Sequence, residues 1–292
     1  MIGCGSMGGG MALLFAEDGI HVQLSDPSEK AMDAVIEKAE KSGYNGKIKK
    51  HTGMHSGTNM PVWLFANALV GYDSLCNALS TPRLVVFSLP HGSVGDKVLE
   101  SLMPKLSKGD IILDCGNEHF GNTERRQNKC RGTGVHYIGC GVSGGYQAAR
   151  AGPSMCPGGD EAGLKEVLPL LEKVAAKDKE GKPCVGIIGR GGAGHYVKMV
   201  HNGIEHGMMS AICEAWGIMR KMGLGYEEIG DVLKDWNSKG ELVHYPLQLR
   251  LFVLTKKTAR YLPRLHRRRS LSQARIWRRV KFRQAGAPTR HL

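Results

Sequence analysis

The stretch IGCGSMGGGMALLFAEDG, residues 2–19, joins a glycine-rich turn to a helical pattern of apolar residues. Gly3, Gly5 and Gly8 have the spacing G-x-G-x-x-G, which permits a tight turn, close approach of the backbone to a pyrophosphate, and close packing of the following helix. The next segment, IHVQLSDPS at residues 20–28, predicts a short strand ending at Asp26, whose carboxylate could accept hydrogen bonds from an adenosine ribose. These features together predict a dinucleotide site.

Further strand-like segments alternate with helical ones along the first two thirds of the chain. The apolar runs lie at residues 83–90, 109–116, 134–145 and 182–189. This alternation predicts an α/β fold of the Rossmann type, with a doubly wound, mostly parallel sheet. After about residue 190 only helical patterns follow, a long one over 193–222 and a second, YEEIGDVLKDWN, with an apolar stripe. We therefore expect the sheet to be followed by the start of an all-helical domain.

The positive charge is concentrated at the end of the chain. The formal net charge is +13, yet residues 243–292 hold 14 of the 40 Lys and Arg and none of the 27 Asp and Glu. We expect an NAD(P)-binding domain over 1–190, a partial helical domain over 191–242, and a disordered, divergent basic tail over 243–292. Such a tail could bind nucleic acid or another anionic surface through its cations. A fifty-residue segment without carboxylates fits an out-of-frame or misjoined segment better, so we expect no nucleic-acid partner.

The composition, with 41% hydrophobic and 23% charged residues, is typical of a globular protein. Eight cysteines without any CxxC pair favour reduced thiols, and His51 with His55 is too weak a pattern to predict a metal site. No apolar run is long enough for a membrane span, and the amino-terminal residues lack the pattern of a signal peptide. We expect a cytoplasmic protein without a metal or a membrane partner.

The segment GAGHYVKMVHNGIEHG, residues 192–207, places four functional side chains on one face of the predicted long helix. Lys198, His201, Asn202 and Glu205 follow the spacing i, i+3, i+4 and i+7, and apolar residues surround them. A Lys and a Glu lining a cleft are candidates for a base and an acid. The alternative is an ordinary exposed polar face.

A third motif lies at residues 139–160, GCGVSGGYQAARAGPSMCPGGD. Together with the glycine loop and the segment at 192–207, it makes residues 1–242 resemble 6-phosphogluconate dehydrogenase, the decarboxylating enzyme of the pentose phosphate pathway. The 3-hydroxyisobutyrate dehydrogenase type shares the glycine loop, a Ser-Gly-Gly loop and a helix lysine, but GPSMCPGG and KMVHNGIE favour the phosphogluconate family. An inert dinucleotide binder, or an anion binder through the tail, is a further alternative.

The resemblance implies oxidative decarboxylation of 6-phosphogluconate to ribulose 5-phosphate and carbon dioxide, with reduction of NADP or NAD, by a homodimer. Lys198 would be the general base and Glu205 the acid. The expected substrate ligands are Asn117, Ser143, Gly144, Gly145, His201, Asn202 and His206. The expected cofactor contacts are Gly3, Cys4, Gly5, Ser6, Met7, Gly8, Asp26, Pro27, Ser28, Leu89, Pro90, His91 and Asn117. Cys115 and Cys140 are expected only to pack.

The chain departs from the family pattern at several places. Asp26-Pro27-Ser28 replaces an Asn-Arg-Thr run, which favours NAD because a carboxylate repels the 2′-phosphate of NADP. His206 stands where the family usually has a tyrosine. Most of the first strand before Gly3 and the family's later Asn-Lys-Gly-Thr-Gly signature are missing. We therefore expect a chain shortened at both ends, with impaired turnover and an exposed apolar patch on the long helix.

Overall fold

A computed structural model of the chain describes residues 1–44, 46–52 and 72–239. Within these ranges the chain forms two compact units, the first over Met1–Asn202 and the second beginning at Gly203. The predicted tail at 243–292 and His55 of the weak histidine pair lie outside the described residues.

The first unit alternates strands and helices, as the sequence predicts. Its strands are β1 Val22–Leu24, β2 Ile48–Lys50, β3 Leu84–Phe87, β4 Ile111–Asp114, β5 His136–Ser143 and β6 Ser154–Gly158. Its helices are α1 Ser6–Glu17, α2 Glu29–Lys41, α3 Asp73–Asn77, α4 Ser93–Leu102, α5 Phe120–Cys130, α6 Gly145–Ala151 and α7 Glu161–Val174, with a 3-10 turn at Met103–Lys105. Helix α8, Ala193–Lys221, begins in this unit, and α9, Tyr226–Lys239, follows it.

The strands form a doubly wound, mostly parallel sheet, which confirms the predicted fold class. β3, β4 and β5 are parallel neighbours, β6 pairs with β5 antiparallel, and β1 pairs with β2 parallel. Ile2 bridges both groups, because it pairs with Ser25 after β1 and with Phe87 of β3. The glycine turn therefore leaves the sheet between β1 and β3, where the direction of winding changes.

Local sequence explains the main elements. All four residues of β4 are buried, as expected for a central parallel strand covered by helices on both faces. Helix α2 begins where the Ser28 hydroxyl accepts a hydrogen bond from the Ala31 N–H, and α7 begins where the Asp160 carboxylate accepts one from Gly163. Helix α1 is almost wholly apolar from Met11 to Ala16 and is buried against the sheet.

Three segments differ from the sequence expectation. Residues 182–189 form only isolated bridges, Pro183 with Lys177, Val185 with Met155 and Gly189 with Gly158, so the strand predicted there is wrong. The strands β2 and β6 were not expected: β2 has only three residues, two of them lysines, and β6 contains Pro157 and Gly158. Neither segment carries the alternating or continuous apolar pattern by which strands are identified.

The second unit has a small core of its own. Met219 of α8 packs with Ile229 and Leu233 of α9, and Arg220 lies 4.4 Å from the ring centroid of Tyr226. Among the helices that the structure describes, none is long and apolar enough to span a membrane.

Candidate active site

The glycine turn brings the start of α1 close to the sheet. Gly3 has a φ of 93°, a left-handed conformation that favours glycine, and a Cβ at Gly8 would lie 2.0 Å from the Gly3 carbonyl oxygen. A Cβ at Gly5, in contrast, would meet no atom within 4 Å. Gly3 and Gly8 are therefore required by the fold itself, whereas Gly5 leaves open space in front of the helix.

That open space faces an uncapped helix end. Gly5 is the N-cap residue of α1, no side chain accepts a hydrogen bond from its first turn, and the first turn contains no acidic residue. The first N–H groups of a helix lack intrahelical partners and carry a partial positive charge. The start of α1 is thus suited to a pyrophosphate.

Asp26 lies beside this turn, held by the backbone. Its carboxylate accepts hydrogen bonds from the Cys4 N–H at 2.6 Å and the Ser28 N–H at 2.8 Å. Burial and the neighbouring Asp26 charge raise the pKa of the Cys4 thiol to about 12, so the thiol stays neutral at physiological pH. The carboxylate is therefore fixed at the end of β1, beside the glycine turn.

A cavity of about 810 Å³ runs from the glycine turn to α8, entirely within the first unit. Of the predicted cofactor contacts, the residues lining it are Gly3, Gly5, Ser6, Met7, Asp26, Pro27, Ser28, Leu89, Pro90 and Asn117. Of the predicted catalytic and substrate residues, Asn117, Gly145, Lys198 and Asn202 line it. Its volume lies in the range of about 300–1,000 Å³ that is usual for small-molecule sites.

At the α8 end of the cavity, polar side chains form a connected chain of hydrogen bonds. The Lys198 ammonium donates to Ser143 Oγ at 3.2 Å and to Asn202 Oδ1 at 2.8 Å. Asn202 Nδ2 lies 3.5 Å from Asn117 Oδ1, and His201 Nδ1 lies 3.2 Å from Asn202 Oδ1. The ends of β4 and β5 and the face of α8 thus converge on one lysine.

Lys198 reaches the sheet because α8 begins directly against the backbone of β5 and β6. A Cβ at Gly194 would lie 2.3 Å from the carbonyl oxygens of both Gly139 and Cys156, and a Cβ at Gly141 would lie 2.5 Å from Lys198 Cβ. One turn before the lysine, buried His195 places Nδ1 2.7 Å from Thr123 Oγ1 of α5. Glycines on both surfaces therefore bring the helix within reach of Ser143.

A second cavity of about 410 Å³ lies on the other side of this lysine. Ser143, Lys198 and His201 line it, together with Cys156 and Cys184. Burial raises the pKa of the Cys156 thiol to about 11, even though the nearby Lys198 charge opposes that shift. Lys198 lines both cavities, so a ligand in either one would meet the same ammonium.

Several predicted residues lie elsewhere. Cys4, Gly8, His91 and Gly144, all among the described residues, line neither of these two cavities. Glu205 and His206 belong to the second unit, where Glu205 is partly buried and His206 is exposed. Cys115, expected only to pack, lines the large cavity, whereas Cys140 is fully buried in the core as expected. The assignment of roles to these residues stays a prediction.

Sequence reasoning missed a buried ionic cluster behind the cavity. Arg126 of α5 is fully buried and lies within 2.9 Å of Glu118 Oε2, 3.3 Å of Asp114 Oδ2 and 3.2 Å of Asp96 Oδ1. The Tyr137 hydroxyl donates to Asp114 Oδ2 at 2.6 Å. We call these five residues the Arg126 cluster.

Hydrogen bonds and nearby positive charge lower the pKa of two carboxyl groups in this cluster. Burial alone would raise the pKa of Asp96, but hydrogen bonds from Arg126 and Arg125 and their charges hold that pKa below its ordinary value. Burial likewise opposes ionisation of Glu118, while hydrogen bonds from the Asn122 side chain and two backbone N–H groups, with the Arg126 charge, lower its pKa. Folding therefore favours the ionised forms of Asp96 and Glu118 beside the buried guanidinium.

Among the described residues, no group of three or more His, Cys, Asp and Glu side chains is placed to hold a metal ion.

Two family models match the sequence. Residues 1–189 match the NAD binding domain of 6-phosphogluconate dehydrogenase, and residues 194–266 match the 6-phosphogluconate dehydrogenase C-terminal domain. The second match begins at α8 and extends past residue 242.

Curated relatives agree with these matches. The decarboxylating 6-phosphogluconate dehydrogenase of Emericella nidulans is 44% identical over 238 residues, covering 81% of this chain and 45% of that protein. The NADP(+)-dependent, decarboxylating enzyme of Bacillus subtilis is 36% identical over 258 residues, covering 88% of this chain and 50% of that protein. The chain spans about half the length of these relatives.

Solved structures resemble the fold as well. The 6-phosphogluconate dehydrogenase of Plasmodium falciparum, solved in its apo form, with NADP+ and with 6-phosphogluconate, is 32% identical with a TM-score of 0.69, covering 81% of this chain and 46% of that one. A 3-hydroxyisobutyrate dehydrogenase of Mycobacterium tuberculosis has a TM-score of 0.57 at 20% identity, covering 88% of this chain and 72% of that one, and shares the fold alone.

Proposed function

Because the chain belongs to the 6-phosphogluconate dehydrogenase family, we propose that it binds a nicotinamide dinucleotide in the 810 Å³ cavity and oxidatively decarboxylates 6-phosphogluconate to ribulose 5-phosphate and carbon dioxide. One observation carries the proposal: the Lys198 ammonium lies on the cavity wall within hydrogen-bond distance of Ser143 and Asn202. An amine held by Ser143 and Asn202 at the end of a dinucleotide-sized cavity is placed to act, once deprotonated, as the base for an alcohol bound there.

The fit of the cavity to a dinucleotide supports this proposal. Its glycine-turn end offers an uncapped helix N-terminus for the pyrophosphate and open space at Gly5 where a side chain would obstruct it. Asp26 lines the same end and retains lone pairs for ribose hydroxyls. The other end, with Asn117 and Lys198, would then hold the nicotinamide and the substrate.

We infer a preference for NAD, or relaxed use of both dinucleotides. The carboxylate of Asp26 is fixed by Cys4 and Ser28 at the point where a 2′-phosphate would come closest, and like charges at close range repel strongly. Pro27, next in the chain, offers neither a basic side chain nor a backbone N–H to neutralise a phosphate.

The proposed reaction assigns a proton transfer to each of two residues. When bound, oxidised nicotinamide supplies the hydride acceptor. Lys198, in its neutral form, takes the proton of the C3 hydroxyl as C3 loses hydride, which leaves a β-keto acid. That acid loses carbon dioxide because the electron pair of the broken C1–C2 bond forms a C2–C3 double bond, and the C3 oxygen takes a proton back from Lys198, which gives an enediol. Glu205, seven residues after Lys198, then protonates the enediol at the carbon that was C2 of the substrate and becomes C1 of ribulose 5-phosphate.

The remaining residues of the proposed site hold the substrate. Ser143 and Asn202 already orient Lys198 and would also bind substrate hydroxyls, while Asn117 lies between substrate and nicotinamide. The resemblance assigns further substrate contacts to Gly144, Gly145, His201 and His206.

The test is turnover of 6-phosphogluconate with NADP+ or NAD+, followed by absorbance of the reduced nicotinamide and by release of carbon dioxide. We expect Lys198→Met to lower turnover by about 10²–10⁴-fold, the usual contribution of a general base, while the dinucleotide still binds. Lys165→Met is the matched control, because Lys165 is exposed, pairs with Glu161 of its own helix and lines neither of the two cavities. Equal turnover in the two variants would refute the assignment of Lys198.

A further inference from the structure

Two members of the Arg126 cluster, Glu118 and Arg126, connect two loops that line the cavity. The loop after β3 contributes Leu89 and Pro90 to the wall and ends at Gly92, and the loop after β4 contributes Cys115, Gly116 and Asn117. Both loops follow the carboxyl ends of neighbouring parallel strands, where ligands of such sheets bind. The contacts between these two loops therefore determine the shape of this part of the cavity wall.

Contacts between the loops pass through Gly92 and Glu118. Gly92 donates its N–H to Glu118 Oε2 at 2.9 Å, and its carbonyl accepts from Arg126 Nη2 at 2.6 Å. Arg126 Nη1 lies 2.9 Å from the same Glu118 oxygen. Gly92, Glu118 and Arg126 thus form a closed ring of three contacts, and Glu118 is the residue after Asn117.

We propose that Glu118 and Arg126 are positioning residues that hold the loops after β3 and β4 in the shape required to bind the nicotinamide half of a dinucleotide. The inference rests on the proposed function, since it presumes that a dinucleotide occupies the cavity. Neither residue lines the cavity, so both act through Pro90 and Asn117. The adenosine half would contact the glycine turn and Asp26, which lie outside the cluster.

The burial of the cluster indicates why an ion pair performs this task. Arg126 is fully buried, and a Cβ at Gly95 would lie 2.7 Å from its guanidinium carbon, so α4 packs directly onto it. A buried, fully hydrogen-bonded charge allows few alternative arrangements, because any displacement leaves an unpaired charge out of water. The ring is therefore rigid where a polar surface loop would be free to move.

The test compares two variants that remove one carboxylate charge each from the same guanidinium. Glu118→Gln alters the ring between the loops, whereas Asp96→Asn removes a pair on α4 that belongs to neither loop. Calorimetric titration measures the dissociation constant of the reduced dinucleotide that the wild type binds more tightly, NADPH or NADH. The same titration with ADP for NADH, or with 2′-phospho-ADP for NADPH, uses a fragment that lacks the nicotinamide riboside and so measures the adenosine half alone.

We expect Glu118→Gln to weaken the full dinucleotide about tenfold and the fragment less than about twofold, because only a charged hydrogen bond on the nicotinamide side is lost. Asp96→Asn should lower the Tm and change neither dissociation constant beyond about twofold. The inference is overturned if folded Glu118→Gln binds the dinucleotide as the wild type does, if it weakens both ligands equally, or if Asp96→Asn weakens the dinucleotide as much.

The experiment also gives a decision if Glu118→Gln does not fold, or if the wild type binds in an unexpected way. If Glu118→Gln does not fold, Asn122→Ala replaces it, because this variant removes the 2.8 Å hydrogen bond to Glu118 Oε1 and leaves every charge in place. Asn122→Ala should weaken binding of the dinucleotide but not of the fragment. An unchanged dissociation constant for the dinucleotide in this variant would overturn the inference. A wild type that binds neither ligand would refute the proposed function as well. A wild type that binds dinucleotide and fragment equally would refute the inference and leave the dinucleotide site standing.

Discussion

Alanine at Gly5 and at Gly8 should separate the fold of the glycine turn from its binding function. At Gly8 a Cβ would lie 2.0 Å from the Gly3 carbonyl oxygen and 2.8 Å from Ser88 Cβ, and no side-chain rotation moves a backbone oxygen away. Overpacking of this kind costs about 1–3 kcal/mol, and Gly8 lies at the upper end because the clash is with backbone. The better helix propensity of alanine returns about 1 kcal/mol, leaving a net loss near 2 kcal/mol. That loss corresponds to a fall in Tm of about 4–8 °C.

At Gly5 the same methyl group would meet nothing within 4 Å, and the φ of −64° suits alanine. The slightly poorer N-cap is offset by the lower entropy of the unfolded chain, so the Tm should stay within about 2 °C of the wild type. The methyl group would nevertheless occupy the space in front of α1 that the pyrophosphate requires. We therefore expect Gly5→Ala to weaken NADPH or NADH at least about tenfold.

Differential scanning fluorimetry without ligand and fluorescence titration with reduced dinucleotide measure the two effects separately. Wild-type affinity in Gly5→Ala would refute the assignment of the pyrophosphate to this turn. An unchanged Tm in Gly8→Ala would mean that α1 can move away from the sheet, against the close packing described above.

Three other predictions concern the cofactor, the helix contact and pH. Asp26→Ser should shift the ratio of the NAD and NADP dissociation constants at least about tenfold toward NADP, because a carboxylate near the 2′-phosphate is removed; an unchanged ratio would show that Asp26 does not contact the ribose. Gly194→Ala should lower the free energy of unfolding in urea by about 3 kcal/mol or more, because its Cβ would lie 2.3 Å from two carbonyl oxygens. Gly203→Ala should not lower it, because a Cβ there would meet no atom within 4 Å. The pKa values of Asp96 and Glu118 are lowered on folding, so these two carboxylates stabilise the folded state fully above their unfolded pKa of about 4. This stabilisation is lost as the pH falls through the folded pKa values. The free energy of unfolding in urea should therefore fall between pH 7 and 3, and Asp96→Asn should make that fall smaller.

The sequence predicted those parts of the fold that local patterns encode. The spacing of Gly3, Gly5 and Gly8 and the apolar runs at β3, β4 and β5 each depend on nearby residues, and the structure confirms the parallel sheet they indicate. β6 could not be found in this way, because its pairing with β5 is antiparallel and its own residues include Pro157. The segment Ser154–Gly158 therefore carries no strand pattern of its own, and only its pairing with β5 makes it a strand.

The same distinction applies to the candidate site. Lys198 and Asn202 share a helix face by their spacing alone, and the structure brings Ser143 within 3.2 Å of the lysine. Arg126 was missed because RRQNK is typical of an exposed, charged helix. A weak signal existed, since Arg126 shares a helix face with Thr123 and Cys130, which are both buried. Its acidic partners, however, come from three other segments of the chain.

The direct backbone contact between α8 and β5 affects how this protein tolerates substitutions. Where two elements meet through interdigitating side chains, each substitution in the layer between them shifts their spacing a little. Here Gly194 of α8 meets the carbonyl oxygens of Gly139 and Cys156 directly, backbone against backbone, so no such layer exists at this point. Substitutions among the surrounding apolar residues can therefore alter stability without changing the distance between Lys198 and the sheet.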